Sequence, residues 1–325
     1  MLQILKSNKK NILLIGYGSI GKKYYSFLKE THNLHIFDIK FYKFKNKILL
    51  EKLKLFLKIN SNKINYAVIC TPPDQRIEYY RLMIKYNINF LAEKPICNNL
   101  HGLTQINSLI NKKRLKAAIS CNMLFDNFYT FFRNKIIKTK QNKLIHINFL
   151  FSFDLKNMRA QKDKRGYYLN NSKGGGVLND VLSHELQLLT KFFGKIKSIK
   201  SLVRQKKEKN SIYDSLSSII LEFNSDITAC IDVNYLSNYR ERLIHFYFNK
   251  FKIIYSETDK PIKSEIIISN RNKLKKIKLK KNNSLKDQLL YFEEKILSGK
   301  KKYNKMITFE EGINFLKIIK KIRNG

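Results

Sequence analysis

The apolar run Asn11-Ile-Leu-Leu-Ile15 leads straight into Gly16-Tyr17-Gly18-Ser19-Ile20-Gly21, and this junction constrains the fold more than any other feature of the chain. A short, continuously apolar run fits a strand buried on both faces. The residues that follow place Tyr24, Phe27 and Leu28 on one helical face. Strand, glycine turn and helix in that order are the context in which Gly-x-Gly-x-x-Gly reads as a dinucleotide-binding fingerprint. Gly16 permits the tight turn, Gly18 lets the backbone approach a pyrophosphate, and Gly21 brings helix close to sheet, with the phosphates at the helix N-terminus. Asp38 ends the next apolar stretch, 34–38, where an acidic residue binds the adenosine ribose. A carboxylate repels a 2′-phosphate, so NAD is expected over NADP, with Lys40 near enough in sequence to soften the preference.

The alternation continues. A helix is expected over 48–57, an apolar strand over 64–70 ending at Thr71-Pro72-Pro73, a helix over 74–86, and a strand over 88–92 ending at Glu93-Lys94-Pro95. A helix over 103–113 and a strand over 116–121 complete the pattern. Strands alternating with helices argue for a parallel, doubly wound Rossmann sheet, here spanning 1–122. From 123 to 325 the rhythm changes to strands over 144–153, 196–203, 217–223, 227–233, 243–248 and 263–268, mostly without helices between them. This predicts a second α/β domain with a large, mostly antiparallel open sheet. A helix over 179–193, stopped by Gly194, interrupts it, and helices opening at Ser284 and Thr308 close the chain.

Composition removes several classes. A 43% hydrophobic chain is too apolar for disorder, and Cys70, Cys97, Cys121 and Cys230 form no CxxC pair. That excludes a disulfide scaffold, argues against a metal site and fits a reducing, cytoplasmic setting. Apolar runs stay well short of the roughly 18 residues of a membrane span, and no secretory h-region opens the chain, so no membrane partner is expected. The net charge of +39 carries less information than its size implies, because 53 of the 64 basic residues are Lys spread along every segment. Nucleic-acid readers favour Arg concentrated on one face, so no specific nucleic-acid partner is expected. The densest patch, 272–281, alternates Leu274, Ile277 and Leu279 with lysines in the manner of a half-solvated strand.

Three of only 4 prolines lie in the Thr71-Pro72-Pro73 and Glu93-Lys94-Pro95 turns, at the carboxyl ends of expected strands where open parallel sheets bind ligands. By composition any one lysine is a surface charge; position alone singles out Lys94. A lysine shielded there exchanges a proton with a substrate hydroxyl. In Gly174-Gly-Gly-Val-Leu-Asn-Asp180-Val-Leu-Ser-His184, the carboxylate and the imidazole are four apart on one helical face, the spacing at which Asp orients a proton-accepting His. A capping Asp beside a packed His is the competing reading of that helix alone.

These motifs, in this order, resemble the glucose-fructose oxidoreductase, inositol dehydrogenase and MocA family, over nearly the whole chain. The resemblance implies hydride transfer between NAD or NADP and a ring carbon of a sugar, sugar nucleotide or cyclitol. It makes Lys94 the catalytic lysine, Asp180 its partner and His184 the acid/base. It places Asn122 and Tyr168 near the substrate, and Gly16 through Gly21, Asp38, Thr71, Pro72, Glu93 and Lys94 around the cofactor. Substrate-facing loops are expected over 159–173 and 234–242. Arg76 departs from the pattern, since many members carry His at that point. The stretch 165–176 resembles members of bacterial surface-polysaccharide pathways. The family also implies a closing helix, 308–322, returning to the nucleotide domain, and a homo-oligomer, dimer or tetramer. A non-catalytic dinucleotide-binding sensor of the same fold is the alternative, against which the intact Lys94, Asp180 and His184 stand.

Overall fold

A computed structural model of the chain describes residues 9–42, 46–138, 143–155, 167–208, 210–258, 263–270, 273–299 and 305–325. The chain divides into two compact units, one of residues 1–120 and 285–313, the other of 121–284 and 314–325.

The first unit is built on β1 (Asn11–Ile15), β2 (Asn33–Phe37), β3 (Tyr66–Ile69), β4 (Phe90–Ala92) and β5 (Ala117–Ile119), all parallel, in the order β5-β4-β3-β1-β2. Between them run α1 (Ser19–Leu28), α2 (Asn46–Asn60), α3 (Arg76–Lys85) and α4 (Leu103–Lys112). Ile12 through Ile15 and Tyr66 through Ile69 are fully buried, which is why these strands read as unbroken apolar runs rather than alternating ones. Strand order reverses at β1, whose neighbours are β2 and β3, so the carboxyl ends of β1 and β3 form the topological switch point at which such sheets bind ligands. A two-residue strand, β14 (Ile307–Thr308), adds antiparallel to β5 at the edge. It is too short to leave a periodic signal.

The second unit carries an eight-stranded sheet in the order β13-β12-β11-β10-β6-β9-β8-β7. Its strands are β6 (Leu144–Ser152), β7 (Ile196–Glu208), β8 (Ser211–Phe223), β9 (Thr228–Asn234), β10 (Glu241–Phe248), β11 (Lys252–Thr258), β12 (Lys263–Ser269) and β13 (Leu274–Lys278). Every pairing is antiparallel except β6 with β9. One face is packed by α5 (Asn127–Lys138) and α6 (Ser183–Phe193), through Phe132 on Phe246 at 3.7 Å, Phe128 on Tyr255 at 4.1 Å and Phe193 on Phe223 at 5.7 Å. Sequence periodicity missed both α5 and β11. Three of the first six residues of α5 are Phe and one is Tyr, a composition that favours strands, and packing of its Phe128/Phe132 stripe overrides it. β11 follows β10 after three residues that contain neither Gly nor Pro, so no turn chemistry announces it.

Two helices close the chain. α7 (Ser284–Tyr291) runs into a π-helical stretch, Phe292–Ile296. The last helix, α8 (Phe309–Arg323), opens with a reciprocal capping box: Glu311 N–H donates to Thr308 Oγ1 at 3.1 Å and Thr308 N–H to Glu311 Oε2 at 2.7 Å. Phe309 packs on Tyr80 at 5.1 Å within the first unit; Arg323 ends the helix on Asp214 at 2.7 Å within the second. No helix among the described residues is long and apolar enough to cross a membrane.

Candidate active site

The glycine turn is built by backbone proximity. Gly16 has φ of +93°, and a Cβ there would sit 2.8 Å from the Cys70 carbonyl carbon on the neighbouring strand end; a Cβ on Gly21 would overlap the Gly16 carbonyl oxygen. Gly18, the N-cap of α1, behaves differently, since a Cβ there meets nothing within 4 Å. The first turn of α1 contains no acidic residue, and no side chain caps it. A helix N-terminus with uncapped N–H donors and an open approach over Gly18 fits a pyrophosphate. Asp38 stands beside it: its Oδ2 accepts the Tyr17 N–H at 2.6 Å and its Oδ1 the Lys40 N–H at 2.8 Å. Burial, with the charge of Asp38 adding to it, pushes the Tyr79 phenol up to about 12. Each carboxylate oxygen keeps a lone pair for a ribose hydroxyl. Ser19 is exposed and Ile20 half-buried in the first turn of α1.

The turns after β3 and β4 are tied together. Arg76, 3% exposed, donates from Nε to the Thr71 carbonyl at 2.9 Å and from Nη1 to the carbonyls of Glu93 and Pro95. Pro72 is exposed, and buried Pro73 receives the Cys97 thiol at its carbonyl, 3.4 Å away. On the other side of the same turn, Glu93 Oε1 accepts Tyr24 Oη of α1 at 2.9 Å, and Gln288 Nε2 of α7 donates to that hydroxyl at 3.2 Å. Burial, then the Glu93 charge, raises the Tyr24 phenol and the Cys70 thiol well above their ordinary values, so both stay protonated. The carboxylate of Glu93 thus braces the turn from within the unit. Lys94, half-buried, is held between two immobilised neighbours at the carboxyl end of β4. Neither the Arg76 clamp nor the Tyr24 brace was visible in the sequence, because an arginine at a helix start and a tyrosine on a helix face have ordinary surface and core explanations.

In the second unit, the glycine triplet turns tightly against residues 167–171. A Cβ on Gly175 would overlap the carbonyl oxygens of Tyr167 and Tyr168, and Gly176 N–H donates to Tyr168 O at 2.8 Å. Tyr168 is half-buried beside Tyr167; the part of its loop over 159–166 lies outside the described residues. The helix expected from 179 begins instead as a π-helical turn, Leu178–Leu182, which continues as α6. Side-chain bonds accompany this wider turn: Asn179 Nδ2 donates to Gly175 O at 3.0 Å, and Ser183 Oγ to Asn179 O at 2.6 Å. Asp180 sits in the π turn, 8% exposed, and its Oδ2 accepts Tyr235 Oη at 3.1 Å. His184 is half-buried in the first turn of α6. The next residue, Glu185, is buried and paired with Arg242 of β10 at 2.6 Å, and accepts Tyr129 Oη at 3.1 Å. Burial raises its carboxyl against the opposing pull of Arg242. Glu185 therefore fixes the rotation of the helix that carries His184. Asn122 donates from Nδ2 to Ser284 Oγ at 3.1 Å. The structure thus gathers Gly16 through Gly21, Asp38, Thr71, Glu93 and Lys94 at the strand ends of the first unit, and places Asn122, Tyr168, Asp180 and His184 in the second.

Residues 10–120 match the family model described as "Oxidoreductase family, NAD-binding Rossmann fold", and residues 143–257 match the GFO/IDH/MocA C-terminal domain. The chain belongs to the Gfo/Idh/MocA oxidoreductases. Among curated relatives of this family member, Oxidoreductase P35 of Formosa agariphila is 22% identical over 152 residues, 44% of each chain; the alignment thus spans less than half of that relative. Among solved structures, aldose-aldose oxidoreductase from Caulobacter crescentus shares its fold with a TM-score of 0.77 at 13% identity, covering 97% of both chains. The 3-ketoreductase KijD10 from Actinomadura kijaniata, solved with NADP, does so with a TM-score of 0.73 at 12% identity over 98% of both. For this Gfo/Idh/MocA protein, the NAD-binding Rossmann match spans the open approach over Gly18 and the Asp38 carboxylate.

Proposed function

We propose that this oxidoreductase transfers hydride between NAD and a carbinol or keto carbon of a sugar, sugar nucleotide or cyclitol. Lys94, Asp180 and His184 are its catalytic residues. The observation that carries the reading is the fixing of Lys94: Arg76 holds the carbonyls on both sides of it, and Tyr24 holds the side chain of its neighbour Glu93. A lysine pinned at the carboxyl end of a strand in a dinucleotide-binding sheet is placed for chemistry.

Bound NAD supplies the hydride acceptor. His184 takes the hydroxyl proton of the substrate as the hydride leaves the same carbon, and Lys94 hydrogen-bonds that oxygen as charge develops on it. Asp180, steadied by Tyr235, orients the imidazole and stabilises it once protonated. In reduction, His184 returns the proton to the oxygen. Asn122 and Tyr168 contact the sugar hydroxyls. A role in bacterial surface-glycan synthesis, a cytoplasmic location and a homo-oligomeric assembly belong to the same proposal, whose sugar-type substrate is supported by the aldose chemistry named for a structural neighbour.

Absorbance at 340 nm, with NAD or NADH offered alongside a panel of free sugars, nucleotide sugars and cyclitols, tests the reading. Turnover with one member of the panel is expected. Tight NADH binding with no turnover across the whole panel favours a dinucleotide-binding sensor instead.

A further inference from the structure

Arg76 is a buried cation whose guanidinium bonds go to three main-chain carbonyls in two different turns. Thr71 follows β3, whereas Glu93 and Pro95 follow β4, so one side chain ties together the turns that follow two adjacent, main-chain-paired strands. Neutral ties run beside it: Cys97 Sγ to Pro73 O at 3.4 Å, and Tyr80 Oη to Ile96 O at 2.7 Å. Arg76 is the charged member of the set, and its bonds are of the stronger, charge-assisted kind. The guanidinium offers five donors in a fixed fork, enough to serve several carbonyls from one side chain. Removing it leaves three carbonyls to find new partners, which a pair of short turns cannot supply without moving.

We propose that Arg76 is a positioning residue that shapes the nicotinamide end of the dinucleotide site and leaves the adenosine end alone. The adenosine end is built by Gly16, Gly18, Gly21 and Asp38 at β1 and β2; no Arg76 bond ends on those residues, and the clamped turn approaches Gly16 through the main chain of Cys70 and Thr71, which the β3 ladder also holds. The inference rests on the proposed reading that the nicotinamide lies beside Lys94. It requires the two halves of the dinucleotide to respond differently to one substitution, which a merely structural arginine would not produce.

Full-length Arg76→Met and Arg76→Lys are titrated with NADH by fluorescence and with ADP by calorimetry. Arg76→Met is expected to weaken NADH at least tenfold while ADP stays within twofold of wild type, and Arg76→Lys to fall between for NADH alone. Tyr80→Phe, which removes one neutral tie, leaves both affinities near wild type. Equal weakening of NADH and ADP, or no weakening of NADH, overturns the proposal. If Arg76→Met does not fold, Arg76→Lys decides: NADH and ADP must still separate by at least threefold. A wild-type protein that binds ADP with no gain from the nicotinamide half overturns the functional reading as well, whereas a normal wild type with indifferent variants overturns this inference alone.

Discussion

The main-chain N–H of Tyr17 donates to Asp38 Oδ2 at 2.6 Å, so the residue that closes β2 also braces the glycine turn after β1. In the proposed function the same carboxylate also selects the ribose. Replacing Asp38 with Ser keeps a small acceptor and removes the charge. The NADH dissociation constant is expected to rise at least about tenfold, the worth of one hydrogen bond to a charged group. NADPH binding is expected to improve, as repulsion of the 2′-phosphate disappears and Lys40 remains nearby. Paired fluorescence titrations read both changes.

Gly18→Ala and Gly21→Ala separate ligand constraints from folding constraints. A methyl on Gly18 meets open space at φ of −72°, so thermal stability is expected to hold or rise slightly, while NADH affinity falls at least tenfold. A methyl on Gly21 overlaps the Gly16 carbonyl and is expected to lower the melting temperature by several degrees. Calorimetry with and without NADH distinguishes the two.

Glu185 and Arg242 form a buried pair at 2.6 Å, among the rings of Tyr129, Phe149, Phe151 and Tyr255. Truncation to Glu185→Ala strands the guanidinium and is expected to cost about 3 to 5 kcal/mol in urea unfolding. The double variant Glu185→Leu with Arg242→Met is expected to recover much of that loss.

Burial holds the His35 imidazole, packed 5.0 Å from the Phe56 ring, below its ordinary pKa. Below about pH 6.5 the unfolded chain therefore binds more protons at this position than the folded chain, and stability is lost as pH falls. His35→Phe is expected to gain on wild type in melting temperature between pH 7.5 and 5.5. A constant difference across that range would remove His35 from the pH response.

The Rossmann half was legible because its evidence is local: apolar runs, a glycine turn and prolines at strand ends are all read within a dozen residues. The antiparallel sheet was legible in outline, but α5 and β11 were hidden where aromatic composition and a turn without Gly or Pro mask the local signal. The groups that support the candidate site were the least visible. Tyr24 reaches Glu93 across 69 positions and Asp180 meets Tyr235 across 55, separations at which periodicity says nothing about which side chain meets which. Arg76 stood out only against the family resemblance, and its three carbonyl bonds, to residues up to 19 positions away, are not readable from local pattern.

Deuterium transfer from [4,4-²H₂]NADH to the panel member turned over, followed by mass spectrometry in wild type and in Lys94→Ala, tests the central claim most directly. The wild type is expected to deliver one deuterium to the reduced carbon. Lys94→Ala is expected to bind NADH within threefold of wild type and deliver label at least a hundredfold more slowly. Label arriving at the wild-type rate in Lys94→Ala would contradict the account.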